Sequence, residues 1–391
     1  MCLLHLIGGA YGREPHELKD RLSPRAADLI KWAFDDVDPS RLVDYHTHVV
    51  GVGAGGTGNF LNPAMRSARR PLKFLKFSVY LSASGISDME NADREFVSRL
   101  AEQARHIENH GKYRILAFDK HYNSDGTVNL EKTEFYTSNE YVFNVATEFS
   151  DLFVPTMSVN PHRTDALDEL QKWAGRGVRL VKWLPNAMGI NPADSKCDSF
   201  YQKMKDLGLV LLSHTGEEKA VEAEEDQRLG NPIHLRRPLD HGVKVIAAHC
   251  AGLGRNPDLD HPDKPMTANF DLFMRLMDEK KYEGLLFADI SAMTQQNRIG
   301  LPLRTILKRT DLHPRLVNGS DYPLPAINIV ISTRALVKAG YITREERGWL
   351  NEIYDYNPLL FDYVLKRSLK APGDNQRLPA SVFMSNENLG V

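Results

Sequence analysis

Val43-Asp44-Tyr45-His46-Thr47-His48 is a short run that ends in two histidines spaced i and i+2. In an extended strand, alternate residues share a face, so Asp44, His46 and His48 are expected to project the same way. Two imidazoles on that spacing can reach one ion at the distance zinc requires. An isolated H-x-H is a weak signal, and its meaning depends on what else in the chain ends like this.

Working outward, seven further runs have the same buried, near-continuous apolar character: 114–121, 152–160, 178–184, 209–215, 244–250, 285–292 and 316–322. Such runs suit parallel strands covered on both faces. Amphipathic segments separate them. Asn91–Asn109 carries Phe96, Leu100, Ala104 and Ile107 at helical spacing, and Thr164–Ala174, Ser199–Leu207, Asp271–Lys280 and Thr343–Tyr354 behave likewise. Eight βα units predict an α/β protein, a (β/α)8 TIM barrel over residues 41–367, whose active site lies at the C-terminal ends of the strands. An open doubly wound sheet is the alternative fold. It would need a glycine-rich phosphate turn after an early strand, and none is there. Residues 1–40 form a helical lead-in and 368–391 an irregular tail. Residues 51–86 make a long loop after strand 1, glycine-rich at first and then helix-like over Leu72–Ala83. A loop of that length over a barrel is expected to cover the active-site mouth.

The other runs end as the first does. His214 closes the fifth, His249 the sixth and Asp321 the eighth, each just before glycine or proline. Any one of them alone would be a satisfied core histidine or a capping aspartate. Four strand ends delivering four histidines and an aspartate to one face make a constellation. Lys182 lies inside the fourth run, where a lysine is costly unless paired, neutralised or bound to metal. It is either a snorkelling side chain, a substrate carboxylate anchor, or a carbamylated ligand between two metals.

In order and spacing these residues resemble the amidohydrolase superfamily of metal-dependent TIM-barrel enzymes, in its amidohydrolase-related branch. The resemblance spans roughly residues 42–363 and includes Ser213-His214-Thr215-Gly216, Gly319-Ser320-Asp321-Tyr322-Pro323 and Asn357-Pro358-Leu359-Leu360-Phe361. It implies that His46, His48, His214 and Asp321 ligate a divalent ion, zinc being the ion expected. Lys182 sits where two-metal members carry their bridging lysine, so one ion is expected and two are the alternative. It further implies that Asp321 is the acid/base, and that His249 is a second-ion ligand, a proton donor or an electrostatic stabiliser. A dication held by neutral imidazoles and a carboxylate makes hydroxide available near neutral pH.

The implied function is hydrolysis of a C–N or C–O bond (amide, lactone or ester) of a small polar, carboxylated substrate. His121, Arg163, Trp183, Asn186 and Glu217 are the substrate-binding candidates, with Asn160, His162, Asp289 and Ser291 at neighbouring strand ends. Arg163 could clamp a carboxylate bidentately. The alternatives are a metal-dependent non-oxidative decarboxylase of the aminocarboxymuconate-semialdehyde decarboxylase type, and a non-catalytic metal-binding protein that recruits a partner through residues 51–86.

Composition is consistent with this and excludes other classes. The 391 residues carry 49 Lys plus Arg against 51 Asp plus Glu, with 42% apolar residues. A disordered chain or a basic nucleic-acid-binding domain would not look like that. Three cysteines, Cys2, Cys197 and Cys250, make no disulfide framework. Cys250 is expected to point away from the site if His249 points in. No run approaches the roughly 18 apolar residues of a spanning helix. The expectation is a cytoplasmic chain without nucleic acid or membrane span, a homo-oligomer being compatible with it. A processed or lipid-anchored start near Cys2 is the alternative. Fourteen histidines are the one unusual count.

Overall fold

Runs of β-branched and leucine side chains, each stopped by polar residues, glycine or proline, become the strands of the computed structural model. It describes residues 13–67, 69–221 and 223–391. The apolar start of the chain, with Cys2 and His5, lies outside the described residues. Eight strands occupy the eight expected runs. They are β1 (Val43–His48), β2 (Lys112–Leu116), β3 (Phe153–Thr156), β4 (Leu180–Trp183), β5 (Val210–Ser213), β6 (Lys244–Ala247), β7 (Leu286–Asp289) and β8 (Leu316–Val317). His214, His249 and Asp321 lie beyond the last residues of their strands, whereas His46 and His48 are within β1.

The strands form two parallel sheets, β1-β2-β3 and β4-β5-β6-β7-β8. Backbone bonds bridge both seams. Between β3 and β4, Met157 donates to Leu180 (3.0 Å) and accepts from Lys182 (2.7 Å). Between β8 and β1, Tyr45 donates to Asn318 (2.9 Å), His48 to Tyr322 (3.0 Å) and Asp321 to the carbonyl of His46 (2.7 Å). The circular order is that of a (β/α)8 barrel. Two features of β1 that look alike in sequence differ here. The β1–β2 register shifts between Asp44 and Thr47, and the Asp44 carboxylate accepts from the backbone of His46 (2.9 Å) and Ser320 (3.0 Å). Asp44 therefore ties β1 to the end of β8 and does not join His46 and His48 at the mouth.

The helices used below are α1 (Pro24–Phe34), α2 (Pro71–Ala83), α3 (Ala92–Arg105), α4 (Asn139–Glu148), α5 (Ala166–Gly175), α6 (Asp198–Asp206), α7 (Arg236–Asp240), α8 (Asn269–Asp278), α9 (Leu301–Lys308), α10 (Thr333–Lys338), α11 (Arg344–Tyr356) and α12 (Pro358–Ser368). Helices α3, α5, α6, α8 and α11 fill the expected amphipathic segments. In α3, Phe96, Leu100 and Ala104 are fully buried, and each large side chain so placed is worth roughly 1.5–3 kcal/mol. Helix α12 has no amphipathic signature because every one of its residues is buried. Among the described residues, no helix is long and apolar enough to cross a membrane.

The C-terminal tail is irregular, and it is built into the barrel. Asn318 donates to the carbonyl of Val382 (2.8 Å), Ser385 to that of Arg41 (2.6 Å), and Asn386 to the Tyr45 hydroxyl (3.1 Å). Leu389 is buried among Tyr45, Leu180, Val210, Ile246 and Phe287. It forms the apolar floor of the barrel, opposite the mouth.

Candidate metal centre and active-site cavity

At the mouth the chain leaves regular geometry where chemistry-bearing side chains appear. Beyond β6, residues 248–251 make a tight turn with His249 (φ 58°), Cys250 (φ 48°) and Ala251 (φ 48°) in the left-handed region. Beyond β8, Asp321 has φ 59°. For residues with a Cβ such backbone costs about 1–3 kcal/mol each and is held by its surroundings. Its effect is to aim both side chains into the mouth. Cys250 is buried beside the site, its thiol 3.2 Å from the Asp289 carbonyl. The reason is this turn, because strand alternation has already ended at Ala247. Burial raises the thiol pKa well above its ordinary value, which makes it unreactive.

Asp289 organises the centre. One carboxylate oxygen accepts from Nδ1 of His46 (2.8 Å). The other accepts from the backbone N–H of His249 (2.9 Å) and Ser291 (3.0 Å), and from the Ser291 hydroxyl. With its proton on Nδ1, His46 turns the Nε2 lone pair inward, where it lies 3.0 Å from Nζ of Lys182 and 3.6 Å from the Asp321 carboxylate. His48 Nε2 is 3.1 Å from the same Asp321 oxygen. Nδ1 of His249 lies 2.8 Å from the Ser291 hydroxyl oxygen and 3.9 Å from Asp321. The His214 ring is centred 5.1 Å from that of His249. Its Nδ1 faces Glu218 at 3.4 Å, and its buried Nε2 has no hydrogen-bond partner.

Burial determines the protonation states. It depresses the pKa of His48 and His249, opposed in both by Asp321, and takes His214 down to about 4 against the pull of Glu218. Burial also lowers Lys182 to about 8, opposed by Asp289 and Asp321. For Asp321, burial works against ionisation, but the His249, His48 and His46 side chains outweigh it and hold the carboxyl well below its usual range. The result is several neutral imidazoles around one ionised carboxylate, a donor set that suits a divalent cation. His46, His48 and Asp321 each bring a donor atom within 4.8 Å of the others, as do His46, His249 and Asp289. In the second group the Nδ1 of His46 is already engaged with Asp289. The first group is therefore the better-formed cation site; His214 belongs to neither group, its ring neighbouring that of His249.

The centre floors a cavity of about 140 Å³. The loop after β1 covers it, as its length and position suggest. Asp93 of α3 staples that loop, accepting from the N–H of Val52 (2.6 Å), the Thr57 hydroxyl (2.5 Å) and the Asn59 amide (2.9 Å). A Cβ at Gly51 would stand 2.1 Å from the Asn59 amide nitrogen and 2.3 Å from the Asp93 carboxylate, so the staple requires glycine there. Phe60–Leu61 pairs with Phe135–Tyr136 and pins the loop to the segment after β2. Helix α2 then lays Phe77, Tyr80 and Leu81 over the opening.

Of the sequence candidates, His46, His48, Lys182, His214, His249 and Asp321 all line this cavity. His121, Arg163, Trp183, Asn186 and Glu217 do not. His121 is packed against Gly189. Arg163 is held by Asp119 (3.3 Å) and Asp165 (2.8 Å). Trp183 points into the core, its indole N–H on the Val159 carbonyl (2.8 Å). Asn186 bonds Gln227 (3.2 Å), and Glu217 packs against Gly254. Four of these lie on the connections after the strands and Trp183 ends β4 with its side chain in the core, directions that residue type does not reveal. The residues missed are Glu218, one place beyond Glu217, and the apolar side chains of the covering loop. The supporting role of Asp289 was missed as well, its partner lying 243 positions away in the chain.

A model of the amidohydrolase family matches residues 43–326. No curated protein sequence matches the chain. Several solved structures are similar. An uncharacterised TIM-barrel protein from Bordetella bronchiseptica is 16% identical over 80% of this chain and 98% of its own, with a TM-score of 0.47. A probable 2-pyrone-4,6-dicarboxylic acid hydrolase from Acinetobacter baumannii is 15% identical over 83% of this chain and 99% of its own, with a TM-score of 0.46. The IDCase of Metarhizium anisopliae is 12% identical over 90% of this chain and 97% of its own, also at 0.46. With the family model spanning well over half of its length, from the first residue of β1 to beyond Asp321, the chain belongs to the amidohydrolase family.

Proposed function

We propose that the chain is a metal-dependent hydrolase that cleaves a C–N or C–O bond, as in an amide, lactone or ester. In this reading His46, His48, His214 and Asp321 hold a single divalent ion, zinc. The observation that carries it is the convergence of neutral imidazoles on an ionised Asp321, with one buried His214 nitrogen unspent.

When bound, such an ion lowers the pKa of water from 15.7 to roughly 7 and polarises a carbonyl. Asp321, ionised and aimed by its left-handed backbone, accepts the proton of the attacking water and delivers it to the leaving group. His249, with Nδ1 2.8 Å from the Ser291 hydroxyl and 3.9 Å from Asp321, stabilises the charge that develops beside Asp321. Asp289 keeps His46 in the tautomer that presents Nε2. Lys182, whose pKa burial lowers to about 8, stands 3.0 Å from that same nitrogen. The apolar cover excludes bulk water from the reacting groups.

The test is turnover of nitrophenyl esters, anilides and lactones by the zinc-reconstituted protein in ¹⁸O-labelled water, alongside elemental analysis of the metal. Hydrolysis that places one ¹⁸O in the carboxylate product and none in the leaving group, with one ion per chain, is expected. Release of carbon dioxide from carboxylated arenes, with no hydrolysis of any panel member, would replace this reading with decarboxylation.

A further inference from the structure

The histidines, Lys182 and Asp321 of the cavity are gathered at one end. His46, His48, Lys182, His214, His249 and Asp321 form the floor, whereas Met65, Phe77, Leu81, Phe96, Phe118 and Phe135 are among the side chains that make the walls and roof. Lys182 is the only lysine or arginine among the described lining residues. Away from the centre, the ionisable groups that border the cavity are acidic and already engaged. Asp93 is filled by the loop it staples. Glu134 is paired with Lys73 at 3.1 Å. Glu218 accepts from the backbone N–H of Ala220 and Val221. Arg163 stands outside, on Asp119 and Asp165, and buried Arg298 bonds Gln295 (2.5 Å) behind Gly252.

A carboxylate carried on the remote part of a substrate would therefore lose its hydration, meet no free cation and face acidic neighbours, all of which oppose binding. An apolar group in the same space exchanges water for aromatic and aliphatic walls. We propose that the cavity takes a neutral substrate whose larger part is an apolar group, an alkyl or aryl chain. The scissile group lies at the polar floor and the chain runs under α2. The assignment of the scissile group rests on the hydrolase reading; the apolar preference of the cavity does not. This preference departs from the polar, carboxylated substrate suggested by the strand-end residues, because those residues face elsewhere.

Binding can be read without turnover by displacing the neutral dye N-phenyl-1-naphthylamine from the metal-loaded protein. A series of n-alkanols from butanol to decanol should displace it more tightly by about threefold to fourfold per methylene, while succinate and phthalate should not displace it. Phe77→Ala should flatten the alkanol series, its fold verified by a melting curve. Dicarboxylates competing better than octanol, or alkanols showing no dependence on length, would overturn the proposal, and both are measured on the unaltered protein. The catalytic counterpart is kcat/KM for nitrophenyl esters from acetate to decanoate, which should rise with acyl length. Ester hydrolysis that favours acetate or hemisuccinate would also overturn the apolar preference. Length-dependent alkanol binding without any hydrolysis would leave this inference standing and remove the hydrolase reading.

Discussion

At the scale of single residues, the centre divides into groups that act and groups that hold them. Asp321→Asn keeps size and an oxygen donor but removes the base. Turnover should fall by about 10²–10⁴ while metal content, measured by elemental analysis, largely survives; retained turnover would take Asp321 out of the acid/base role. Asp289→Asn should act indirectly, by freeing the tautomer of His46. Metal affinity, read by chelator competition, should weaken by about 10–100-fold, and unchanged affinity would reduce Asp289 to a backbone tie. The first kind of residue was legible in sequence, since His214, His249 and Asp321 each close an apolar run before a glycine or proline. The second kind was not. Asp289 was visible as a strand-end carboxylate, but which imidazole it holds depends on the barrel bringing β7 beside β1.

Among the elements, the eight strands were readable because both faces are buried and their runs are uniformly apolar. Which way a strand-end side chain faces and its connection turns was not, and that is why Trp183 and Asn186 looked like pocket residues. Helix α12 escaped for the opposite reason: buried all round, it lacks the contrast on which helical periodicity depends. The covering loop was predictable as an excursion, but its attachment by Asp93 was not. Asp93→Ala should release residues 51–59. Limited proteolysis within 51–86 should then quicken several-fold with the far-ultraviolet spectrum of the barrel unchanged, and an unaltered cleavage pattern would show that the Phe60–Leu61 pairing alone secures the loop. Gly51→Ala should reproduce this effect through the clash described above.

For the molecule as a whole, the proposed ion, held by groups from β1, β5 and β8, would link segments far apart in the chain. Chelation should lower the melting temperature, and restoring zinc at about a thousand times its dissociation constant should return about 4 kcal/mol; a melting curve insensitive to zinc would argue against a site spanning these strands. Leu389→Ala should cost about 2–5 kcal/mol, seen as a lower urea midpoint at unchanged slope, because the floor of the barrel is closed by that side chain. The same closure has a consequence in time. Leu389 is synthesised about 70 residues after β8, several seconds later at roughly 5–20 residues per second. Through that interval Tyr45, Leu180, Val210 and Phe287 would sit at an unplugged opening on a nascent chain whose strands have all been made. This is a window in which chaperone engagement, or its failure, would decide how much of the translated protein escapes aggregation.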